Sequence, residues 1–426
     1  MNSGGLTRRD VLRIAGIGSV TSFVGCGDNL GPRDPGNSHA AFVVEADVDS
    51  LIVVLWSAIA RTAALEVQSG DDIVFTSVIE LAGIAAHVDI HGLAAATSYQ
   101  VTVLYDSGAR VGPMQVRTAP RADDPRPVRL AVSADVDPSP EFNSPLFTHL
   151  IAASPELFVS LGDFPYCDNG PELALGVDAY RDRYTQMLTT PKLRAWLSAM
   201  GLRAIYDDHE FRNDWDGMFR TVEASRYAAA MQVWDELFPV RGAAGEVRYR
   251  AWRWGQHIEC FLLDCRRFRS ANAALDDETK TMLGDVQRAW LIDAVKRSTA
   301  TFKLVFTSVP LDYGDGNDHW SSYVYERTLI FDALAGVPGV LFVSADQHWF
   351  AAHRHARGIR EFQVGPLCRG IGMPHVISPG VLFRSTQYNF GLIDVDGEEL
   401  TFSGVGPDGT VFYKETLTPQ QLTPAT

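Results

Sequence analysis

Leu202-Arg203-Ala204-Ile205-Tyr206-Asp207-Asp208-His209-Glu210 is a short apolar run that stops on four titratable side chains. Short apolar runs bounded by polar residues suit strands buried on both faces of a parallel sheet. The pattern recurs along the chain. Residues 128–134 end on Asp135, 158–162 on Asp163, 260–263 on Asp264, and 341–345 on Asp346-Gln347-His348. Residues 302–307 add another apolar run, and helical spacing occupies 180–200, 222–238, 284–298 and 325–334. Strand, turn and amphipathic helix in alternation predict a layered α/β domain over residues 127–420.

In such sheets ligands bind at the carboxyl ends of the strands. Carboxylates gathered and buried there repel one another, which is tolerable where a cation neutralises them. Capping of the following helix explains an aspartate at any one strand end. It explains four such ends, two of them carrying histidines, much less well. The residues therefore point to a metal cluster.

Leu161-Gly162-Asp163-Phe164-Pro165-Tyr166, Asp207-Asp208-His209-Glu210-Phe211-Arg212-Asn213-Asp214 and Ser344-Ala345-Asp346-Gln347-His348 resemble, in order, three metal-site blocks of the PhoD-like phosphatases. Leu263-Asp264-Cys265-Arg266-Arg267-Phe268-Arg269, Met282-Leu283-Gly284-Asp285-Val286-Gln287-Arg288-Ala289-Trp290-Leu291 and Asp318-His319-Trp320 with Tyr323, Glu326 and Arg327 extend the resemblance. It covers about residues 126–417 and implies a metallophosphoesterase domain of α/β/β/α type. It also implies hydrolysis of phosphomonoesters or phosphodiesters. By that resemblance Asp163 would bridge two metals, Tyr166 would be a phenolate ligand, and Asp208, Asp346 and His348 would complete the set. His209 would face the phosphate or leaving group. Arg266 or Arg269 would offer a planar donor fork to phosphate oxygens, or else form a structural ion pair. An oxygen-rich set with two histidines in the strand-end clusters suits iron and calcium better than zinc.

The sequence departs from the family at two places. The first strand usually ends Ser-Cys-Gln, with the cysteine as an iron ligand, whereas this chain has Ser133-Ala134-Asp135. Asp135 is the expected substitute, because the wider superfamily commonly uses an acid there; Asp137 and Cys167 are the alternatives. Glu361-Phe362-Gln363-Val364-Gly365-Pro366-Leu367 also differs from the usual form, so leaving-group contacts do not carry over. These departures keep open a second class of function, a lipid-anchored binding protein on a weakly active or inactive phosphoesterase scaffold. His87, His91, His353 and His355 have no matching partners and are assigned to surface or core.

Ahead of the catalytic domain, residues 41–120 alternate apolar and polar positions in short runs, as in an all-β sandwich of fibronectin type III or Ig-like kind. Its expected role is that of spacer and lid support. Residues 27–40 and 121–127 read as linkers. Residues 1–26 contain Thr7-Arg8-Arg9-Asp10-Val11-Leu12, a weakly apolar stretch and Phe23-Val24-Gly25-Cys26. That layout predicts a Tat signal ending in a lipobox, hence export to the periplasm or cell surface and attachment through a lipidated Cys26. The remaining cysteines are Cys167, Cys260, Cys265 and Cys368, with no CxxC spacing and too few for a disulfide scaffold. Cys260 and Cys265, five apart, are expected on opposite faces. A net charge of −15 disfavours nucleic acid as a partner; the partner that the family resemblance implies is a small phosphate ester.

Overall fold

The computed structural model describes residues 38–137, 144–169, 173–241, 247–314, 316–374 and 378–426. The expected signal and lipobox, residues 1–26, lie outside them. Seven strands come first: β1 (His39–Val44), β2 (Ser50–Ser57), β3 (Thr62–Ser69), β4 (Asp72–Glu80), β5 (Ala85–His91), β6 (Ser98–Tyr105) and β7 (Arg110–Arg117). They form a sheet β4-β3-β6-β7 and a three-stranded unit β1-β2-β5. Alternate residues of both, such as Val43, Leu51, Val53, Val101 and Val103, meet in one core.

The catalytic half begins with β8 (Val128–Ser133), β9 (Leu157–Ser160) and β10 (Gly201–Ala204), all parallel. Next come β11 (Arg250–Trp254), β12 (Ile258–Leu262), β13 (Phe302–Phe306) and β14 (Val340–Ser344), then β15 (Phe350–Arg354), β16 (Arg360–Gln363) and β17 (Val381–Ser385). The last strands are β18 (Phe390–Asp396), β19 (Glu399–Val405) and β20 (Val411–Leu417). One sheet runs β20-β19-β18-β8-β9-β10-β1-β2-β5 and a second runs β11-β12-β13-β14-β16-β15-β17.

Period-2 alternation explains how these sheets stack. Val128, Leu130 and Val132 of β8 share a core with Phe302, Leu304 and Phe306 of β13 and with Leu341 and Val343 of β14. The opposite faces, Ala131 and Phe158 on the first sheet and Val305 and Phe342 on the second, pack against helices. Those helices are α1 (Leu146–Ala153), α2 (Val177–Leu188), α3 (Pro191–Leu197), α4 (Phe219–Val222) and α5 (Ala224–Leu237) on the first sheet. On the second they are α6 (Gly284–Arg297) and α7 (Val324–Ala333). The span 180–200, expected as one helix, is two, because Pro191 starts a new helix at its first turn and cannot donate into the old one. No helix among the described residues is long and apolar enough to cross a membrane.

The β-rich N-terminal region is more than a spacer. β1 pairs parallel with β10 at Val44 and Leu202, so β1-β2-β5 continues the catalytic sheet. β1 and β2 are accordingly buried at every position, with Phe42, Val54 and Trp56 facing the catalytic core. At the seam Glu45 accepts from Arg203 at 2.7 Å and from Arg250 at 2.5 Å, and Asp47 accepts from Arg203 and Arg241 at 2.5 Å each.

Candidate metal centre

The parallel registers Ser133–Ser160 and Ala204–Ser160 set the carboxyl ends of β8, β9 and β10 side by side. β14 delivers its own end, with Asp346 and His348, from the second sheet. Asp135, Asp163, Asp346 and His348 all have left-handed backbone, with φ of 61°, 55°, 78° and 61°. Such backbone costs of order 1–3 kcal/mol for a non-glycine residue and is retained where the surroundings over-determine it. Two glycines allow the close approach. A Cβ on Gly162 would stand 2.5 Å from Cβ of Asp207, and one on Gly365 would stand 2.3 Å from Oδ2 of Asp135.

Three groups of donors result, each with ligand atoms within 4.8 Å of one another: Asp135 with Asp163 and His348; Asp163 with Asp208 and His209; and Asp207 with Asp208 and Asp346. A fourth, Asp208 with Asp214 and Asp318, adjoins them. Oδ1 of Asp135 lies 3.7 Å from Nε2 of His348, and that nitrogen lies 2.8 Å from the Tyr166 hydroxyl. Nδ1 of His348 lies 2.5 Å from the Gly370 carbonyl, which can only accept, so Nδ1 carries the proton and Nε2 presents its lone pair.

Both oxygens of Asp135, Oδ2 of Asp163 and Oδ1 of Asp208 are buried without any hydrogen-bond partner. A buried acceptor left bare costs about 1–3 kcal/mol, and more when ionised. Burial first, and then the neighbouring acids, push Asp135, Asp163 and Asp346 well above the usual carboxylate range. Burial acts the same way on Asp208, but Arg266 and His209 outweigh it and hold that acid down. Bare, hard oxygen donors that disfavour their own ionisation fit a multivalent cation. The donor set therefore suits metal ions, with Asp163 shared between two of the groups.

The comparisons with known proteins agree with this geometry. The PhoD-like phosphatase family model matches residues 139–371. The chain belongs to the PhoD-like phosphatase family. It is a hydrolase of phosphoesters. A solved PhoD structure superposes with a TM-score of 0.80 at 17% identity, covering 93% of this chain and 92% of that one. A purple acid phosphatase from yellow lupin (Lupinus luteus) seeds gives 0.64 at 11% identity, covering 89% and 74%. At these identities the structures show a shared metallophosphoesterase-like fold. No curated protein matches the chain by sequence.

Within this PhoD-like frame the structure brings Asp135, Asp163, Tyr166, Asp208, His209, Asp346 and His348 to one place. Cys167 is buried in the helix-side core, and Asp137 receives Arg369 at 2.7 Å; neither belongs to any of the donor groups. Cys368 touches the Asp135 loop, its backbone N–H donating to the Asp135 carbonyl and its thiol to that of Asp137. The two arginines are fully buried and engaged. Arg266 grips Asp207 with two bonds of 2.6 and 2.7 Å and reaches Asp318 at 2.6 Å. Arg269 donates to the Cys265 carbonyl and, at 2.7 Å, to Asp318. Neither guanidinium has a face open to solvent.

Asp264, the fifth strand-end acid, stands apart. It accepts from Tyr206 and from the backbone of Arg266 and Arg267, capping its own turn. Two further residues bear on the site. Asp168 holds Nδ1 of His209 at 2.7 Å, and Arg369 lies over the Tyr166 ring at 4.6 Å. Asp168 follows Tyr166-Cys167 directly, and that proximity to the motif was its only signal.

Proposed function

We propose that the strand-end cluster holds two or more metal ions, iron and calcium foremost. On this reading the chain hydrolyses small phosphomonoesters or phosphodiesters outside the cytoplasmic membrane. The observation that carries the proposal is the set of four bare carboxylate oxygens on Asp135, Asp163 and Asp208, converging on one buried pocket of donors. Asp135, Asp163, Tyr166, Asp208, Asp346 and His348 would hold the ions, which supply a nucleophile at neutral pH and electrostatic stabilisation of the transferring phosphoryl group.

The protein's own groups do the rest. His209 is held by Asp168 through Nδ1, which leaves Nε2 for substrate. In the metal-free chain burial lowers His209 while Asp208 and Asp168 raise it to about 9; with Nδ1 held by Asp168, Nε2 is the nitrogen that would pass a proton to a leaving oxygen. Arg266 and Arg269 act as positioning residues: they hold Asp207 and Asp318, and through them the Asp208 loop. The Arg8-Arg9 pair and Cys26 support export and lipid attachment.

The test is metal depletion and repletion of the full chain, with chromogenic mono- and diesters as substrates. Iron and calcium are expected to leave and return together with turnover, and cell fractionation is expected to place the chain in the envelope. Restoration by zinc alone overturns the metal assignment. No turnover on any ester, with metals bound, favours the binding-protein reading.

A further inference from the structure

A second donor cluster lies at the far end of β15. His353 and His355 are two residues apart, so on an extended chain they share a face. His353 stands directly opposite Glu361 of β16 in the antiparallel register. Cross-strand partners share a face as well, so this hairpin brings together two imidazoles and a carboxylate. Their ligand atoms lie within 4.8 Å of one another, and the imidazole rings stack 5.0 Å apart at 6°. Nε2 of His355 lies 2.6 Å from Oε2 of Glu361. The other carboxylate oxygen is anchored, accepting from the Leu311 N–H at 2.9 Å and the Ser344 hydroxyl at 2.5 Å.

The odd member is His353. It is 0% exposed, and both of its ring nitrogens lack any hydrogen-bond partner. A fully buried imidazole with two unsatisfied nitrogens has lost its water and received no hydrogen bond in return, an unfavourable state that a bound ion would relieve.

We infer that His353, His355 and Glu361 form a second metal site, for one divalent transition-metal ion of the zinc class. Two imidazoles and one carboxylate are the borderline set such an ion prefers. The strand-end cluster, rich in carboxylates, is harder. The two sites are separate, because His348 precedes β15 and His353 lies near its far end, about 16 Å away along an extended strand. The role is structural. An ion here clamps the β15–β16 hairpin, which carries His348 at one end and runs on to Gly365, the residue packed against Asp135.

The experiment counts zinc ions on the chelator-stripped full chain by titration with Zn2+, in wild type, His353→Phe and His355→Gln. Wild type is expected to bind about one more zinc ion per chain than either variant. Zn2+ is also expected to raise its melting temperature by more than theirs. All three chains keep phosphoesterase turnover once iron and calcium are restored, since neither histidine belongs to the strand-end cluster. Should His353→Phe fail to fold, His355→Gln alone carries the comparison, as its side chain only trades one polar group for another. Equal zinc stoichiometry in wild type and every variant that folds overturns the inference and leaves the cluster a buried ion pair.

Discussion

Two regions of this molecule bury acids, and they treat them in opposite ways. At the seam between the N-terminal strands and the catalytic sheet, buried Glu45 and its half-buried neighbour Asp47 have both oxygens bonded to Arg203, Arg241 or Arg250. At the strand ends Asp135, Asp163 and Asp208 keep oxygens with no partner. A buried ionic network can be structural when every charge is answered within the chain. A buried acid left unanswered has to be explained by something the chain binds. The contrast separates fold from function within one sheet, since β1 belongs to the seam and the neighbouring β10 leads into the cluster.

The largest expected effect comes from Asp163→Asn, which should abolish turnover, because Asp163 lies in both the Asp135 and the Asp208 donor groups. Its effect on stability should run the other way. Burial and then Asp208 raise its carboxyl, so in the metal-free chain the favourable, protonated state is complete at low pH. That stability is lost as pH rises through the raised value. Asparagine removes the penalty. Metal-free Asp163→Asn should therefore melt above metal-free wild type at alkaline pH, the gap closing below about pH 4. Thermal melts in chelator across pH check this; a variant that melts lower at alkaline pH breaks the contrast.

At the seam the substitution should act in the reverse sense. Glu45→Gln leaves Arg203, itself 3% exposed, short of its counter-charge. Removing one partner of a buried pair costs about 3–5 kcal/mol. Urea unfolding should show that loss, while kcat stays unchanged once the chain is folded. A large fall in kcat at full stability would mean that the seam is coupled to the chemistry. A smaller effect is expected of His209→Ala: turnover lower by about 100-fold with metals retained. Loss of metal instead would make His209 a ligand in the Asp163–Asp208 group.

How much of this was legible follows from which interactions are local. Parallel strands buried on both faces are short continuous apolar runs, so the ends of β8, β9, β10 and β14 could be read directly with their acids. Asp264 looked the same in sequence, because an acid that caps its own turn and one that faces a cluster occupy the same strand-end position. Arg266 could have been a phosphate fork or an ion pair; its partner Asp207 is 59 residues away, and only tertiary packing decides. His353 and His355 seemed partnerless for the same reason, since Glu361 reaches them through hairpin register. The place of β1 beside β10 was equally hidden, because the pairing rests on a single register position, Val44 with Leu202.

The smallest effect, that of Cys167→Ser, is read against Asp135→Ala and concerns the thiolate that the family resemblance puts at Ala134. Asp135 and Cys167 competed to replace it, and the structure separates them by environment. Asp135 turns inward on left-handed backbone just beyond β8, its two bare oxygens beside His348 and Asp163. Cys167 packs among Phe164, Tyr180, Tyr184 and Met187, and its backbone N–H donates to the His209 carbonyl at 2.7 Å. Asp135→Ala should therefore lose metal and turnover together. Cys167→Ser should keep both and lose only the stability that a hydroxyl forfeits in an apolar core, about 1–3 kcal/mol. Iron content and kcat measured side by side on the two variants decide the matter. If serine at 167 strips the iron while alanine at 135 retains it, the metal lies on the helix side of β9, and the contrast between answered and unanswered acids fails at the residue where it is sharpest.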